Sequence, residues 1–136
     1  MAIKTQAYGI TLPIMRGPQG YFAQSYDVID QIKTNINLLL RTRKGERRMN
    51  PEFGSSLWNL IFENYGDDFT PVIEASVKSD ISKWMPYVNV EDVKTVVDDE
   101  QNKNMHVVHV SVLFTVPSLG ATTTQTLDLV LNSNNI

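Results

Sequence analysis

The chain has 136 residues, of which 42% are hydrophobic, and this is enough apolar material for one compact core. Twelve Lys and Arg against fifteen Asp and Glu give a net charge of -3, so no overall positive field favours nucleic acid or an anionic membrane as a partner. The absence of cysteine excludes disulfides, thiolate nucleophiles and thiolate metal sites.

Residues 1–24 are predicted to form an extended arm. Turn-forming residues recur in it, among them Gly9, Pro13 and Pro18, and they interrupt any run that could serve as the apolar core of a signal peptide. No window of the chain approaches the ~20 apolar residues of a membrane-spanning helix. We expect the arm to dock through Tyr21 and Phe22, and residues 25–136 to form a single domain.

Two helices are predicted directly after the arm. Ser25 is a candidate cap for the first, whose apolar residues recur every three or four positions until about Thr42. Gly45 lies just beyond and is a plausible C-cap. A shorter helix is predicted within the segment SSLWNLIFEN, with Ser55 or Ser56 as its cap.

The third predicted helix begins at Thr70, a capping residue, with Pro71 in the first helical position, where the missing N–H of proline loses no hydrogen bond. It ends before Pro86. One side of this helix is apolar and consists of Ile73, Val77, Ile81 and Trp84. This spacing predicts a buried face.

After Pro86 the apolar period changes to two, which is typical of strands. Strands are predicted from Val88 toward Val97, from Met105 to Val116, and from Thr122 to Leu131. Helices first and strands second favour an α+β fold. We expect three N-terminal helices packed on one face of a small, mainly antiparallel sheet of C-terminal strands.

The sequence predicts no catalytic, cofactor-binding or metal-binding residue. It has none of the common phosphate-loop, dinucleotide-binding or hydrolase motifs. His106 and His109 are three positions apart on a predicted strand, so they face opposite sides and are poorly placed to share a metal ion. Glu46 is flanked by four cations that favour its charged form, which is the wrong form for a general acid. A charge partner that orders the turn is the better interpretation of Glu46.

Half of the basic residues lie between Lys33 and Arg48. A nucleic-acid patch and a solvated helix end with ion pairs are both possible interpretations. A protein partner that offers acidic groups or helix ends explains the cluster equally well, because Arg forms paired hydrogen bonds with carboxylates. The negative total charge favours protein over nucleic acid.

The run LLLRTRKGERRMNPEFGSSLWNLIFEN, preceded by GYFAQSYD, resembles the baseplate wedge and sheath-initiator family of contractile phage tails. This family also includes the GPW/TssE-type, lysozyme-like proteins of phage and type VI secretion baseplates. The likeness extends from Gly20 to about Val97, and by strand pattern alone to the C-terminus. Its specificity comes from the combination of an amphipathic helix, a Gly-Glu-Arg turn, Pro51, Phe53-Gly54 and a Leu-rich helix.

The resemblance implies a structural protein of the virion or injection machine, present in six copies and assembled in the host cytoplasm. Its implied partners are baseplate wedge proteins and the tail sheath protein, with the tail tube as a further candidate, and with no nucleic acid and no membrane. In the family the sheet edge is extended by arms of sheath subunits, while the helical side packs on the wedge. A strand edge suits this role, because its unpaired N–H and C=O groups accept an incoming strand with little demand on sequence.

The resemblance also implies which residues contact partners, and none of them is a catalyst. They are Glu46, Arg47, Arg48, Pro51, Phe53 and Gly54 at the turn that orders the wedge-facing surface, Pro86 after the third helix, and Leu127 and Leu129 on the last strand. The alternative is that Phe53 and Trp58 are core aromatics and Gly54 is only a turn residue.

One segment departs from the family pattern. Many members carry Glu-Pro-Arg at the end of the third helix, whereas this chain has Met85-Pro86-Tyr87. Charged contacts cannot form there, so an apolar or aromatic interaction must replace them or the interface must differ.

Two other functions remain open on the sequence. A peptidoglycan-hydrolysing, lysozyme-like enzyme would use Glu46 or Glu52, because glycoside hydrolysis needs only a pair of carboxyl groups. A small regulatory protein-binding module is also compatible, because a fold does not by itself determine function.

Overall fold

The computed structural model describes residues 6–18, 20–63, 69–98 and 105–132, and it has the α+β class. The helices are α1 (Val28–Arg41), α2 (Leu57–Glu63) and α3 (Phe69–Trp84). The strands are β1 (Gly9–Ile10), β2 (Gln24–Ser25), β3 (Asn89–Asp98), β4 (Met105–Val116) and β5 (Ala121–Asn132). The chain divides into two compact units, Met1–Leu39 and Leu40–Ile136.

In the first unit a short strand pair precedes α1. Gly9 pairs with Ser25 and Ile10 with Gln24, in antiparallel register. Ser25 was the expected cap of α1, but the structure shows that Asp27 caps this helix. The Ile29 N–H donates to Asp27 Oδ1 at 3.0 Å. The Ser25 hydroxyl instead donates to the Asp27 carbonyl at 2.9 Å, so it orders the residue that caps the helix. Ile32, Ile36 and Leu39 are buried along one face of α1, as their spacing predicts.

The helix α3 starts earlier than predicted. It includes Phe69 and Thr70, so Thr70 is a helical residue and not the cap, and Pro71 lies in the first turn but not at its first position. Proline is tolerated there because the first four N–H groups of a helix have no partner within the helix. The C-terminal end agrees with the prediction, since α3 ends at Trp84, before Pro86.

In the second unit the strands form one antiparallel sheet in the order β3-β4-β5. Alternate residues of β4 form one buried row, which consists of Val108, Val110, Val112, Phe114 and Val116. On the other face His109, Ser111 and Thr115 are half-buried. The helix α3 packs against β3 with Ile73, Val77 and Ile81 fully buried, and α2 packs against α3.

A β-bulge interrupts the pairing of β3. The register with β4 shifts between Val90 and Asp92, so Glu91 is the extra residue. After the shift Val93 pairs with Val112 and is buried, whereas Val96 is 56% exposed. Uninterrupted alternation from Val88 and Val90 would place Val96 inside and Val93 outside, so the bulge exchanges the two faces.

The α+β class is confirmed, but the expected arrangement is not matched in full. A second, two-stranded sheet precedes the helices, where only an extended arm was expected. Within the second unit α2 lies against α3, so the helices do not simply line up on one face of a single sheet. Two-residue strands are too short to carry an alternating pattern, which explains why periodicity did not predict β1 and β2.

Candidate protein-interaction site

The segment between α1 and α2 forms a loop that is closed at its base. We call residues 43–55 the latched loop. The Ser55 N–H donates to the Thr42 carbonyl at 2.8 Å, and Arg43 and Ser55 form an isolated parallel bridge. The two ends of the loop are therefore held side by side by main-chain bonds, and the Gly-Glu-Arg and Pro-Glu-Phe-Gly motifs lie within one structural unit.

Backbone bonds also order the interior of the loop. The Gly45 N–H donates to the Pro51 carbonyl at 2.7 Å, and the Glu46 N–H donates to the Arg43 carbonyl at 3.1 Å. Glu46 Oε2 accepts the Arg43 N–H at 2.9 Å, so this carboxylate stabilises the turn, as the sequence predicts. Gly45 has φ +90°, but its N–H bonds within the loop and not to the last turn of α1, so it is not the expected C-cap.

Gly54 is required by the close approach of two backbone segments. Its φ of +131° is a conformation that residues with a side chain rarely adopt. A Cβ atom at this position would lie 2.7 Å from the Thr42 carbonyl oxygen and 2.8 Å from the Arg43 carbonyl carbon. The glycine therefore allows the main chain at Ser55 to reach Thr42 and close the loop.

Asp80 of α3 fastens the base of the loop. Asp80 is 5% exposed, and its carboxylate accepts hydrogen bonds from the Ser55 hydroxyl at 2.9 Å and the Ser56 N–H at 3.2 Å. Lys44 Nζ lies 3.4 Å from Asp80 Oδ1 and 2.7 Å from Ser56 Oγ. The Ser56 carbonyl accepts the first hydrogen bonds of α2, from the Asn59 and Leu60 N–H groups, so Ser56 holds the N-cap position. The Ser55 Oγ accepts the Leu57 N–H at 3.1 Å and thereby satisfies the first N–H group of the helix. One buried carboxylate thus joins the loop, α2 and α3.

A row of stacked side chains joins the far side of the loop to the C-terminal end of α3. The Arg47 guanidinium lies 4.1 Å from the centre of the Phe53 ring, and Phe53 packs edge-on against Trp84 with ring centres 5.2 Å apart. Lys83 Nζ lies 5.1 Å from the Trp84 ring centre and 3.6 Å from Glu52 Oε2. These contacts hold Phe53 half-buried and Arg47 exposed.

The exposed surface of the loop carries three arginines, Arg43, Arg47 and Arg48, and the long apolar side chain of Met49. The Arg43 guanidinium lies 4.9 Å from the centre of the Trp58 ring, while Arg43 itself remains exposed. Arg48 is exposed, and Met49 beside it is 98% exposed. A rigid base thus presents cations and a methionine to solvent.

The structure brings some of the predicted contact residues together and leaves others apart. The latched loop contains six of them: Glu46, Arg47, Arg48, Pro51, Phe53 and Gly54. Pro86 is exposed and lies two residues after Trp84, whose ring contacts Phe53 of the loop. Leu127 and Leu129 belong to β5, where they pair with Val110 and Val108 of β4. The role of these residues in binding a partner stays a prediction, whereas the roles of Glu46 and Gly54 in shaping the loop are observed.

Asp80 is the important residue that the sequence reasoning missed, although a signal for it was present. It lies seven positions after Ile73, three after Val77 and four before Trp84, which places a carboxylate on the apolar face of α3. A charge on a buried face requires partners, so it predicts a nearby hydroxyl, N–H or cation. The identity of those partners depends on the folding of a loop distant in sequence.

The described residues offer little for catalysis or metal binding. Glu46 is engaged in the turn, and Glu52 lies beside Lys83. In the parts of the chain that the structure describes, no group of three His, Asp or Glu is arranged to hold a metal ion. Nor does any described helix combine the length and apolar character needed to cross a membrane.

The ordered latched loop with its exposed arginines and the edge of the three-stranded sheet at β5 are surfaces suited to contacts with other proteins. Residues 27–118 match the family described as baseplate wedge protein gp25, and the chain belongs to this family. The resemblance expected from the Gly-Glu-Arg to Pro-Glu-Phe-Gly segment is thereby confirmed, and membership supports a structural role in the baseplate of a contractile tail or related machine. No curated protein matches the sequence significantly.

Solved structures share the fold at low sequence identity. A Geobacter sulfurreducens protein with the provisional designation of tail lysozyme has a TM-score of 0.68 and 21% identity, with 79% of this chain and 94% of that chain covered. A chain of the six-fold symmetrised anti-feeding prophage baseplate has a TM-score of 0.64 and 20% identity, with 79% and 82% covered. A chain of the type VI secretion baseplate complex has a TM-score of 0.53 and 12% identity, with 78% and 95% covered.

Proposed function

We propose that the chain joins the baseplate wedge to the first ring of the tail sheath and initiates sheath assembly by strand addition at the edge formed by β5. The observation that carries this proposal is the length and regularity of that edge. From Met105↔Asn132 to Val116↔Ala121, β5 pairs with β4 in twelve consecutive positions without a shift in register. In the described part of the chain, no strand lies on its other side.

The composition of β5 also suits strand addition. Ala121–Asn132 contains no proline and one charged residue, Asp128. Edges that are protected against pairing are usually short, charged, bulged or interrupted by proline. An incoming strand at β5 would gain main-chain hydrogen bonds along most of twelve residues, with little requirement for a particular side-chain sequence.

The opposite edge of the sheet is less suitable. The strand β3 carries the bulge at Glu91 and has charged residues at Asp92, Lys94 and Asp98. A bulge twists the strand and breaks the ladder that a new strand would extend. We therefore assign the sheath to β5 and not to β3.

The latched loop and the C-terminal end of α3 form the wedge-facing surface in this proposal. Met85 is buried, whereas Pro86 and Tyr87 are exposed in the turn that follows α3. Tyr87 thus supplies an aromatic surface where related proteins carry a charge, and it is our candidate for the replaced contact. Six copies per particle follow from the proposed role, in agreement with the six-fold symmetrised baseplate that contains a chain of similar fold.

The arm of residues 1–24 has a separate proposed role from the domain of residues 25–136. Among the residues of the arm that the structure describes, several large apolar side chains are exposed, with Tyr21 at 87% and Ile14 at 63%. Such side chains gain free energy when a partner covers them. We propose that the arm docks on a neighbouring baseplate or tube subunit within the particle.

Proline substitutions on β5 test the sheath contact. Successive residues of an antiparallel strand point their N–H groups alternately toward the neighbouring strand and away from it. One of Gln125→Pro and Thr126→Pro should therefore retain the fold, since proline is tolerated where an edge N–H faces outward. The folded variant should assemble into baseplates but give few sheathed tails, scored by electron microscopy of particles complemented with each variant.

The other proline variant and Lys94→Glu are the controls. The proline variant of opposite parity should lower the unfolding temperature, because it removes a hydrogen bond to β4. Lys94→Glu alters the β3 edge and should leave sheath assembly normal. Normal sheathed tails with the folded proline variant, or a loss of sheath with Lys94→Glu, would contradict the assignment to β5.

A further inference from the structure

The basic residues of the latched loop fall into two groups. Lys44 is held by Asp80 and Ser56, so its charge is used inside the protein. The guanidinium groups of Arg43 and Arg47 lie against aromatic rings, and among the described residues neither is paired with a carboxylate. Arg48, which follows Arg47 and precedes Met49 in the sequence, is also exposed. Three arginines are therefore available to a partner.

Stacking on an aromatic ring prepares a guanidinium to bind a carboxylate. The ring restricts the planar group at 4.1 Å for Arg47 on Phe53 and at 4.9 Å for Arg43 on Trp58, and it uses none of the N–H donors. Those donors form a fixed fork that matches a carboxylate in two parallel hydrogen bonds. A guanidinium that is already restricted loses less conformational entropy when it binds a carboxylate, so the free energy of binding is more favourable.

The distribution of charge favours an acidic partner. The loop and the C-terminal part of α3 together carry a net charge of +2. Their charged residues are five cations, Arg43, Lys44, Arg47, Arg48 and Lys83, and three carboxylates, Glu46, Glu52 and Asp80. The remaining seven cations and twelve carboxylates give the rest of the chain -5. A negatively charged segment of a partner is therefore attracted to this positive surface, and it is repelled by most of the rest of the protein.

We infer that the latched loop binds an acidic segment of a partner protein, with Arg43 and Arg47 as carboxylate-binding residues and the exposed Met49 of the same loop as an apolar contact. This inference rests on the proposed role as a subunit of a protein assembly, and it names the chemistry of the partner on the wedge-facing side. An exposed methionine suits such a contact, because its flexible, polarisable side chain adapts to an irregular apolar surface. A nucleic acid is the less favourable occupant, since the rest of the chain has a negative charge and repels a phosphate backbone.

Peptide binding tests this inference. The probe is a short, fluorescein-labelled, glutamate-rich peptide with one central leucine, and the comparison probe has glutamine in place of every glutamate. The full chain should bind the glutamate peptide in fluorescence anisotropy, with an affinity that falls as salt is raised, and should not bind the glutamine peptide. Arg47→Lys and Arg43→Lys keep the charge but lose the fork, so each should weaken binding by roughly fivefold or more.

Arg16→Lys is the matched control, because Arg16 is an exposed arginine outside the loop, and its binding should equal that of the unaltered chain. Arg48→Gln provides a second test at an exposed position whose change should not disturb the fold, and it should also weaken binding. Equal binding of the two peptides, unchanged affinity in Arg43→Lys, Arg47→Lys and Arg48→Gln, or tighter binding of a single-stranded oligonucleotide of equal charge would overturn the inference.

The test is independent of the sheath contact. The folded proline variant of β5 should bind the glutamate peptide normally, because its loop is unchanged. A failure of peptide binding with normal dependence of sheath assembly on β5 would reject only the acidic partner. The reverse result would reject only the strand-addition role.

Discussion

Gly54 shows how a single backbone position determines whether the interaction surface exists. The free space around it is limited by the Thr42 and Arg43 backbone, and backbone atoms cannot rotate away as a flexible side chain can. The sequence pattern identified Gly54 as part of a motif, but the pattern could not distinguish a simple turn glycine from one that closes a loop. That distinction depends on which segment lies opposite, and this is known only from the structure.

Gly54→Ala should lower the free energy of unfolding by at least about 2 kcal/mol, because it combines a forbidden φ with a backbone collision. Gly45→Ala separates the two effects, since Gly45 also has a positive φ but has open space around its Cβ position, and about 1 kcal/mol is expected there. Gly20→Ala should be nearly neutral. Urea denaturation measures the free energy of unfolding of all three variants. Equal losses for the Gly54 and Gly45 variants would show that the backbone moves to relieve the collision at position 54.

Asp80 illustrates the same principle for a polar side chain. Asp80→Ala should lower the free energy of unfolding by about 2–4 kcal/mol, because the Ser55 hydroxyl and the Ser56 N–H lose their acceptor. Asp80→Asn retains one acceptor oxygen and should lose about half as much. Lys78→Ala, an exposed change on the same helix, is the control and should stay within about 0.5 kcal/mol. A neutral Asp80→Ala would mean that water replaces the carboxylate.

At the scale of secondary structure, the sequence predicts the three helices and the three long strands, and it misses the two-residue strands and the local irregularities. The helices α1 and α3 and the strands β4 and β5 repeat their pattern over ten or more residues, so their existence and approximate bounds follow from periodicity. Other features depend on only one or two residues each. They are the start of α3, the cap at Asp27, the strand pair β1 and β2, and the bulge at Glu91. Tertiary contacts decide such features.

The bulge gives a prediction about β3. Val93→Ala removes a side chain that is 1% exposed and should lower the free energy of unfolding by about 2 kcal/mol, because two buried methyl groups are lost. Val96→Ala makes the same chemical change at a 56% exposed position and should stay within about 0.5 kcal/mol. Thermal or urea unfolding measures both. A larger effect at Val96 would mean that β3 pairs without the bulge.

At the scale of the whole molecule, membership of the baseplate wedge family supports a structural role in a baseplate. The carboxylates that the enzyme hypothesis requires have structural partners, since Glu46 accepts a backbone N–H and Glu52 lies 3.6 Å from Lys83. The provisional lysozyme designation of one similar structure concerns a protein with 21% identity, and it extends to this chain only as a likeness of fold.

The purified chain should therefore leave the turbidity of a peptidoglycan suspension unchanged, while a known lysozyme in a parallel sample clears it. Clearing by the chain that is lost in Glu46→Gln or Glu52→Gln, with the fold retained by circular dichroism, would restore the enzyme hypothesis. Clearing that persists in both variants would point to a contaminating hydrolase.

The exposed Met49 gives the latched loop a natural chemical reporter. A thioether that is 98% exposed reacts readily with peroxide to give the sulfoxide, whereas a thioether covered by a partner is shielded from the oxidant. The mass of the peptide that contains Met49 therefore records whether the loop is occupied, without any label or substitution. Oxidation of intact particles and of the free chain, followed by mass spectrometry, would reveal when during assembly this surface becomes covered.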